Sequence, residues 1–348
     1  MKEIKLKNRR IGHGQPCFIV AEVGINHNGD MELARKMIDA AATTGVDAVK
    51  FQNYRTEDFL SDTKLKYTYA SQGKKVTESQ FEMFKRCELS ASSLLQLKKH
   101  CDKRNVVFLS TPTGDSGIQD LVRIKSPMLK NGSDYLGNIP LIKMMAETGI
   151  PTVISTGMAT LSEIDEAVRA FEDAGGKELI ILHCISQYPT PANDVNLNKI
   201  KSLQLAFNYP IGFSDHTYGT TASIGAYILG ACFIEKHFTI DKNLPGPDHS
   251  FSSDTQEFKQ LVSAIREAEK MMGTTVIKPT QKELKSRTGY KLSCVAIKNL
   301  SNNHKITAAD IAFRRPGTGI PPNLTQWLIG QTLKRNIQKG DIFTINDI

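Results

Sequence analysis

Eight short apolar runs, rich in β-branched residues, punctuate roughly the first 275 residues, and a helical pattern separates each run from the next. The runs are Cys17–Glu22, Ala48–Gln52, Val106–Ser110, Pro127–Lys130, Thr152–Ser155, Leu179–His183, Pro210–Phe213 and Cys232–Lys236. They are largely apolar throughout, as parallel strands covered on both faces should be. Between them, Leu33, Ala34, Met37, Ile38 and Ala41 recur on one helical face and Gly45 closes the pattern. A last helix carries Phe258, Leu261, Val262, Ile265 and Met272 at helical spacing, with Asp254 and Glu257 placed as its N-terminal cap. Eight βα units in about 250 residues predict an α/β fold, a closed (β/α)₈ TIM barrel. An open doubly wound sheet is the alternative, but no G-x-G-x-x-G follows the first run.

The pattern changes after Gly273. Residues 1–275 read as the barrel, 276–288 as a linker and 289–348 as a small β-rich domain, with Lys291–Ile297 strand-like and turn residues at 301–303 and 316–319. No apolar run reaches the length of a membrane span, and the first ten residues lack the apolar core of a signal peptide, so a cytoplasmic protein is expected. Six scattered cysteines form no C-x-x-C pair, so buried thiols are expected rather than a disulfide framework or a thiolate zinc site. The net charge of +8 is lopsided: residues 281–348 hold 11 Lys/Arg against 4 Asp/Glu, and the rest hold 33 against 32. A basic tail suits a solvated surface, a nucleic-acid patch or an anionic small-molecule pocket. It has few aromatics beside its basic residues and no recognisable nucleic-acid motif, so no nucleic-acid partner is expected.

In such a barrel the active site lies at the strand C-terminal ends. The polar residues there are Glu22 and 26–28; Lys50 and Gln52; Ser110 and Thr111; Lys130 and Ser133; Ser155 and Thr156; His183, Ser186 and Tyr188; 214–216; and 235–237. His216 and His237 close consecutive strands, so two imidazoles can share a metal ion with open positions, or each can cap a core hydrogen-bond network. Lys50, Lys130 and Lys236 suit an anionic substrate, or one of them is a Schiff-base nucleophile. Thr111, Ser133, Ser155 and Ser214 suit phosphate oxygens or ordinary turns. Asp248, in the Pro- and Gly-containing segment 245–249, would be held over the mouth.

Several segments then resemble one family. They are Ala21–Gly29, Val49–Gln52, Ser110–Pro112, Ser155–Met158, Leu182–Cys184, Tyr188–Pro191, Ile211–His216, Glu235–Thr239 and Gly246–His249. Together they resemble the sialic acid synthases, which include the N-acetylneuraminate, legionaminic and pseudaminic acid synthases. Phe313–Gly319 resembles the antifreeze-like (SAF) domain that ends those enzymes. The resemblance implies a domain-swapped homodimer that condenses phosphoenolpyruvate with an N-acetylmannosamine-like aldose, releasing phosphate by C–O cleavage. It implies that His216 and His237 bind a divalent metal, Mn²⁺ first, with Mg²⁺ or Co²⁺ as alternatives, and that Glu22 assists catalysis beside them. Lys50, Thr111, Lys130, Ser133, Ser155, Ser186 and Ser214 would hold phosphoenolpyruvate. Gln52, Tyr135, Tyr188 and Asp248 would contact the sugar, and Arg315 would reach its N-acetyl group from the partner chain.

The chain departs from the family pattern after the fourth run, where Lys130–Tyr135 puts Tyr at a usually acidic position and Asp134 one residue early. Ser186 stands where N-acetylneuraminate-type relatives have Asn. Both changes admit a modified sugar such as a 2,4-diacetamido-trideoxy hexose. The competing readings are a class I aldolase or lyase working through Lys130 or Lys236, and a non-catalytic glycan-binding protein.

Overall fold

The computed structural model describes residues 2–6 and 9–348, and the chain divides into two compact units, Met1–Gly273 and Thr274–Ile348. The first unit is a closed barrel of eight parallel strands in sequential order. They are β1 (Phe18–Gly24), β2 (Ala48–Asn53), β3 (Val107–Pro112), β4 (Leu129–Asn131), β5 (Thr152–Ser155), β6 (Leu179–Cys184), β7 (Ile211–Asp215) and β8 (Phe233–His237). All but β2 and β3 are buried at every position, the burial that their unbroken apolar runs require. The open-sheet alternative is excluded by closure.

Alternation along each strand splits the core into two layers. Ile19, Ala21 and Val23 of β1 face outward and pack with Met37, Ile38 and Phe258 of the surrounding helices. Phe18 and Val20 face inward, where Ala48, Leu109, Val153, Ile180, Leu182 and Phe233 fill the barrel. Phe18 and Phe233 stack there with centroids 5.4 Å apart. A Cβ on Gly212 of β7 would lie 2.5 Å from both Leu182 and the Phe233 carbonyl, so this inward position admits only glycine. A short hairpin, Ile4–Leu6 with Arg9–Ile11, adds Ile4, Leu6 and Ile11 to this inner layer.

The helix Met31–Thr43 buries Ala34, Met37, Ile38 and Ala41, as its spacing predicts. The capping box of Asp254 and Glu257 starts the helix Thr255–Met272. One feature has no counterpart in the sequence reading. Between β2 and β3 the chain leaves the barrel to form the short helix Thr56–Phe59, a hairpin of Lys66–Ser71 with Lys74–Ser79, and the helix Gln80–Arg86.

In the second unit, Ser293–Ala296 and Ile311–Arg314 pair antiparallel over a core that includes Cys294, Leu300, Ile306, Ile337 and Phe343. Much of the stretch read as a linker is instead the helix Gln281–Tyr290, started by a capping box of Thr280 and Glu283. None of its residues is buried, so apolar periodicity carried no sign of it. All six cysteines are buried thiols. No helix among the described residues is long and apolar enough to cross a membrane.

Candidate active site

The inward rows of the barrel change from apolar to polar at the strand C-terminal ends. Two residues beyond Val20 comes Glu22, beyond Ala48 Lys50, beyond Leu109 Thr111, beyond Val153 Ser155, beyond Leu182 Cys184, and beyond Phe233 Glu235. With Lys130 and Ser214 they floor a cavity of about 350 Å³. Every residue that the family resemblance assigns to the site lines this cavity except Arg315. Arg315 is exposed in the second unit, its guanidinium 4.9 Å from the Tyr290 ring centroid.

The floor is a buried network of two lysines and two carboxylates. Lys50 Nζ lies 2.9 Å from Glu22 Oε1 and 3.6 Å from Glu235 Oε1, and donates to Thr111 Oγ1 at 3.0 Å. Lys130 Nζ lies 3.7 Å from the same Glu235 oxygen and donates to Ser155 Oγ at 2.5 Å. Gln52 Nε2 donates to Glu22 Oε1 and Ser214 Oγ to Glu235 Oε1. Burial opposes the charge on all four ionisable groups, and their neighbours decide the outcome. Burial pushes Glu22 up against the pull of Lys50. Lys130 and Lys50 overcome burial at Glu235 and hold its carboxyl low. The two carboxylates outweigh burial at Lys50 and raise it, whereas burial prevails at Lys130 and lowers it. Glu22 Oε2 and Glu235 Oε2 are buried without hydrogen-bond partners.

The histidines stand beside this floor with ring centroids 5.4 Å apart. His216 Nδ1 lies 2.7 Å from the Ile185 carbonyl, which requires an N–H there and leaves Nε2 with its lone pair. Burial opposes charge on His216, but Cys184, whose sulfur is 4.0 Å from Nδ1, outweighs it and raises the ring's pKa. Burial, reinforced by His216 and nearby lysines, holds His237 well below the usual range. Its Nδ1 is buried without a hydrogen-bond partner, 3.7 Å from Asp248 Oδ2. Burial and the charge of Glu22 push Asp248 up to about 7. No set of three His, Cys, Asp or Glu side chains that could hold a metal ion exists among the described residues. The free Nε2 of His216 and the orphaned ring nitrogen of His237 nonetheless fit a two-imidazole site completed by solvent or substrate oxygens.

Other expected residues complete the rim. Tyr188 lies with its ring 4.2 Å from His216. Ser133 accepts from the Gly157 amide at 3.0 Å, and a Cβ on Gly157 would come within 2.3 Å of Ser186 Oγ and 2.7 Å of Ser133 Oγ. Both Asp134 and Tyr135 line the cavity, each pushed up by burial, Tyr135 to about 12.

Several mouth residues expected from the strand-end rule serve the scaffold instead. Lys236 is buried 3.0 Å from Asp215 and donates to the Thr217 carbonyl at 2.6 Å. It alternates out of phase with Glu235 and faces away from the cavity, so it is not the third cation. His183 meets the Val195 carbonyl, Asn26 donates to the Phe238 carbonyl, and His27 accepts from the Gly29 amide. Sequence reasoning gave no role to Glu235, Cys184 or the side chains of residues 54–84 that wall the cavity. For Glu235 the signal came only with the fold: once Phe233 is seen to face inward, period-two counting selects it.

The chain matches the NeuB family over residues 37–277 and the SAF domain over residues 293–348. It is 37% identical to the N,N'-diacetyllegionaminic acid synthase of Legionella pneumophila, over 94% of each chain. It is 32% identical to a pseudaminic acid synthase of Campylobacter jejuni, over 95% of this chain and 96% of that one. The crystal structure of an N-acetylneuraminic acid synthetase from Leptospira borgpetersenii aligns with a TM-score of 0.74 and 34% identity, covering 82% of this chain and 95% of that one. A barrel whose inward rows end in this buried Lys–Glu floor, followed by a β-rich SAF unit, thus belongs to an enzyme of the NeuB family, the sialic-type (nonulosonic) acid synthases.

Proposed function

We propose that the enzyme condenses phosphoenolpyruvate with an N-acylated amino aldose to give a nine-carbon 2-keto sugar acid and phosphate. The observation that carries this reading is the buried pair Lys50 and Lys130, which share one Glu235 oxygen at 3.6 and 3.7 Å and are ringed by hydroxyls. Two ammonium groups with Thr111, Ser133, Ser155, Ser186 and Ser214 suit a ligand bearing both a carboxylate and a phosphate.

C3 of phosphoenolpyruvate bonds to the aldehyde carbon, whose oxygen takes a proton. Water adds at C2, the C2–O bond to phosphorus breaks, and phosphate leaves. Glu22, raised by burial and linked to Lys50 and Gln52, is placed to take the proton from that water. Gln52, Tyr135, Tyr188 and Asp248 orient the sugar over the floor. A divalent metal held by His216 and His237, Mn²⁺ or else Mg²⁺ or Co²⁺, would supply Lewis-acid polarisation of the aldehyde. We also infer a domain-swapped homodimer in which the Arg315 of each copy serves the cavity of the other. The basic balance of residues 281–348 supports this assignment. A cytoplasmic setting accords with six buried thiols.

The test is phosphate release from phosphoenolpyruvate with Mn²⁺ across a panel of aldoses, with and without chelator. Release that needs both an amino aldose and the metal is expected. Release independent of any aldose, or none from folded, metal-loaded protein, would refute the reading.

A further inference from the structure

Two stretches at the barrel mouth pack against each other, the loop 25–29 that follows β1 and the turn 245–249 that carries Asp248. Their meeting point is a pair of side chains, Asn28 and His249. Asn28 Nδ2 donates to the Pro245 carbonyl at 2.7 Å, and the same nitrogen lies 3.4 Å from His249 Nε2. The imidazole is buried. A Cβ on Gly246 would come within 3.0 Å of His249 Cδ2 and 3.1 Å of Asn28 Oδ1, so the turn closes directly over the pair.

The hydrogen bonds fix the state of the ring. Thr239 Oγ1 has one hydrogen and places it on the Asp241 carbonyl at 3.0 Å. His249 Nδ1, 2.8 Å from that hydroxyl oxygen, therefore donates to it, and Nε2 keeps the lone pair that accepts from Asn28. Burial acts in the same direction, lowering the imidazole to about 4 and keeping it neutral near pH 7. The two amide hydrogens of Asn28 are thus spent at the two ends of the turn. On the far side of Asp248 the chain is fixed again. Ser252 donates to the Asp248 carbonyl from Oγ at 2.6 Å and from its amide at 3.1 Å, and Asn26 Nδ2 donates to Ser252 Oγ at 3.0 Å. The Asp248 carboxylate faces the cavity, 3.7 Å from His237. Aspartate has only two side-chain torsions, so the backbone of the turn sets where that carboxylate stands.

We propose that Asn28 and His249 are a positioning pair for the reaction, an amide–imidazole lock that holds the turn 245–249 and so places the Asp248 carboxylate for the sugar. Neither side chain lines the cavity, and both act through Asp248. This inference rests on the reading in which Asp248 contacts the sugar. A released turn samples other conformations, and the sugar then binds only the competent fraction.

The experiment measures phosphate release by the full-length, Mn²⁺-loaded protein with phosphoenolpyruvate and N-acetylmannosamine, or a 2,4-diacetamido-trideoxy hexose where that sugar is turned over faster. Asn28 holds φ at +52°, so Asn28→Gly removes the amide without straining the backbone. Asn28→Gly and His249→Leu should each raise the sugar KM about 5-fold or more, with the KM for phosphoenolpyruvate unchanged. His249→Gln, whose Oε1 can accept from Asn28, should recover most of the wild-type sugar KM. The double variant Asn28→Gly/His249→Leu should be no worse than the worse single variant, since both break one lock. Amide hydrogen exchange, which needs no turnover, should rise across residues 245–249 in both single variants. Circular dichroism reports folding, and Asn28→Gly carries the test if His249→Leu unfolds. An unchanged sugar KM, an equal rise in both KM values, additive effects in the double variant, or unchanged exchange in folded variants would overturn the lock and leave the synthase standing. Absence of phosphate release by the wild type with both sugars would instead remove the synthase reading, and this role for the pair with it.

Discussion

Glu235 and Lys236 are neighbours in sequence yet face opposite sides of the β8 wall. Glu235 turns into the cavity between Lys50 and Lys130, and Lys236 turns outward onto Asp215, 3.0 Å away. The first residue lines the cavity and the second braces the scaffold, and the two give separable predictions.

Glu235→Gln removes the carboxylate shared by two buried lysines. Breaking a buried ion pair by deleting one partner costs about 3 kcal/mol or more, and urea unfolding should show that loss. Phosphoenolpyruvate brings its own negative charge to the same lysines. The rise in Tm on adding it should therefore be larger in the variant than in the wild type. An equal or smaller rise would dissociate Glu235 from the anion site.

Lys236→Met strands Asp215, which is buried and otherwise held by Thr217 and Ser223. It should lower stability by a similar amount while leaving the KM for phosphoenolpyruvate unchanged. Lys130→Met should instead abolish phosphoenolpyruvate binding, measured by calorimetry. If Lys236→Met alone removed binding, the outward placement would be refuted.

Asp248 sets a pH dependence in metal-free protein. Its pKa is raised from 3.8 to about 7, so between those values the folded state binds more protons than the unfolded state. Stability should then fall as pH rises through that window, by up to about 4 kcal/mol from this group. Asp248→Asn should flatten that part of the profile. Urea unfolding at intervals between pH 4 and pH 8 checks it, and parallel profiles for both proteins would contradict it.

His237→Ala should abolish Mn²⁺-dependent phosphate release and weaken Mn²⁺ binding, seen by electron paramagnetic resonance, without unfolding the barrel. Unchanged Mn²⁺ affinity would remove His237 from the metal site. Arg315→Ala should raise the sugar KM more than that for phosphoenolpyruvate. Equal effects would contradict its assignment to the sugar.

Much of this site was legible before the fold was known. Eight apolar runs located the strands, and the polar residues following them were the right neighbourhood to search. Glu22, Lys50, Lys130, His216 and His237 all meet at one cavity. The strand-end rule failed where it took every polar residue at an end as a mouth residue, because half of them alternate outward. Lys236, His183 and Asp215 are of that kind.

The sequence by itself determined the barrel, its strand order and the β-rich second unit. Those follow from hydrophobic spacing, which each segment carries locally. Only the tertiary structure decided which side of each strand enters the barrel. A parallel strand buried on both faces is apolar throughout, so no two-residue period distinguishes inside from outside until its neighbours set the register. The tertiary structure also decided the chemistry of the cavity wall. Tyr54, Phe59 and Tyr67 lie on separate short segments, while Gln80, Met83 and Phe84 share one face of the helix Gln80–Arg86, and only the fold of that excursion turns the two sets toward one space.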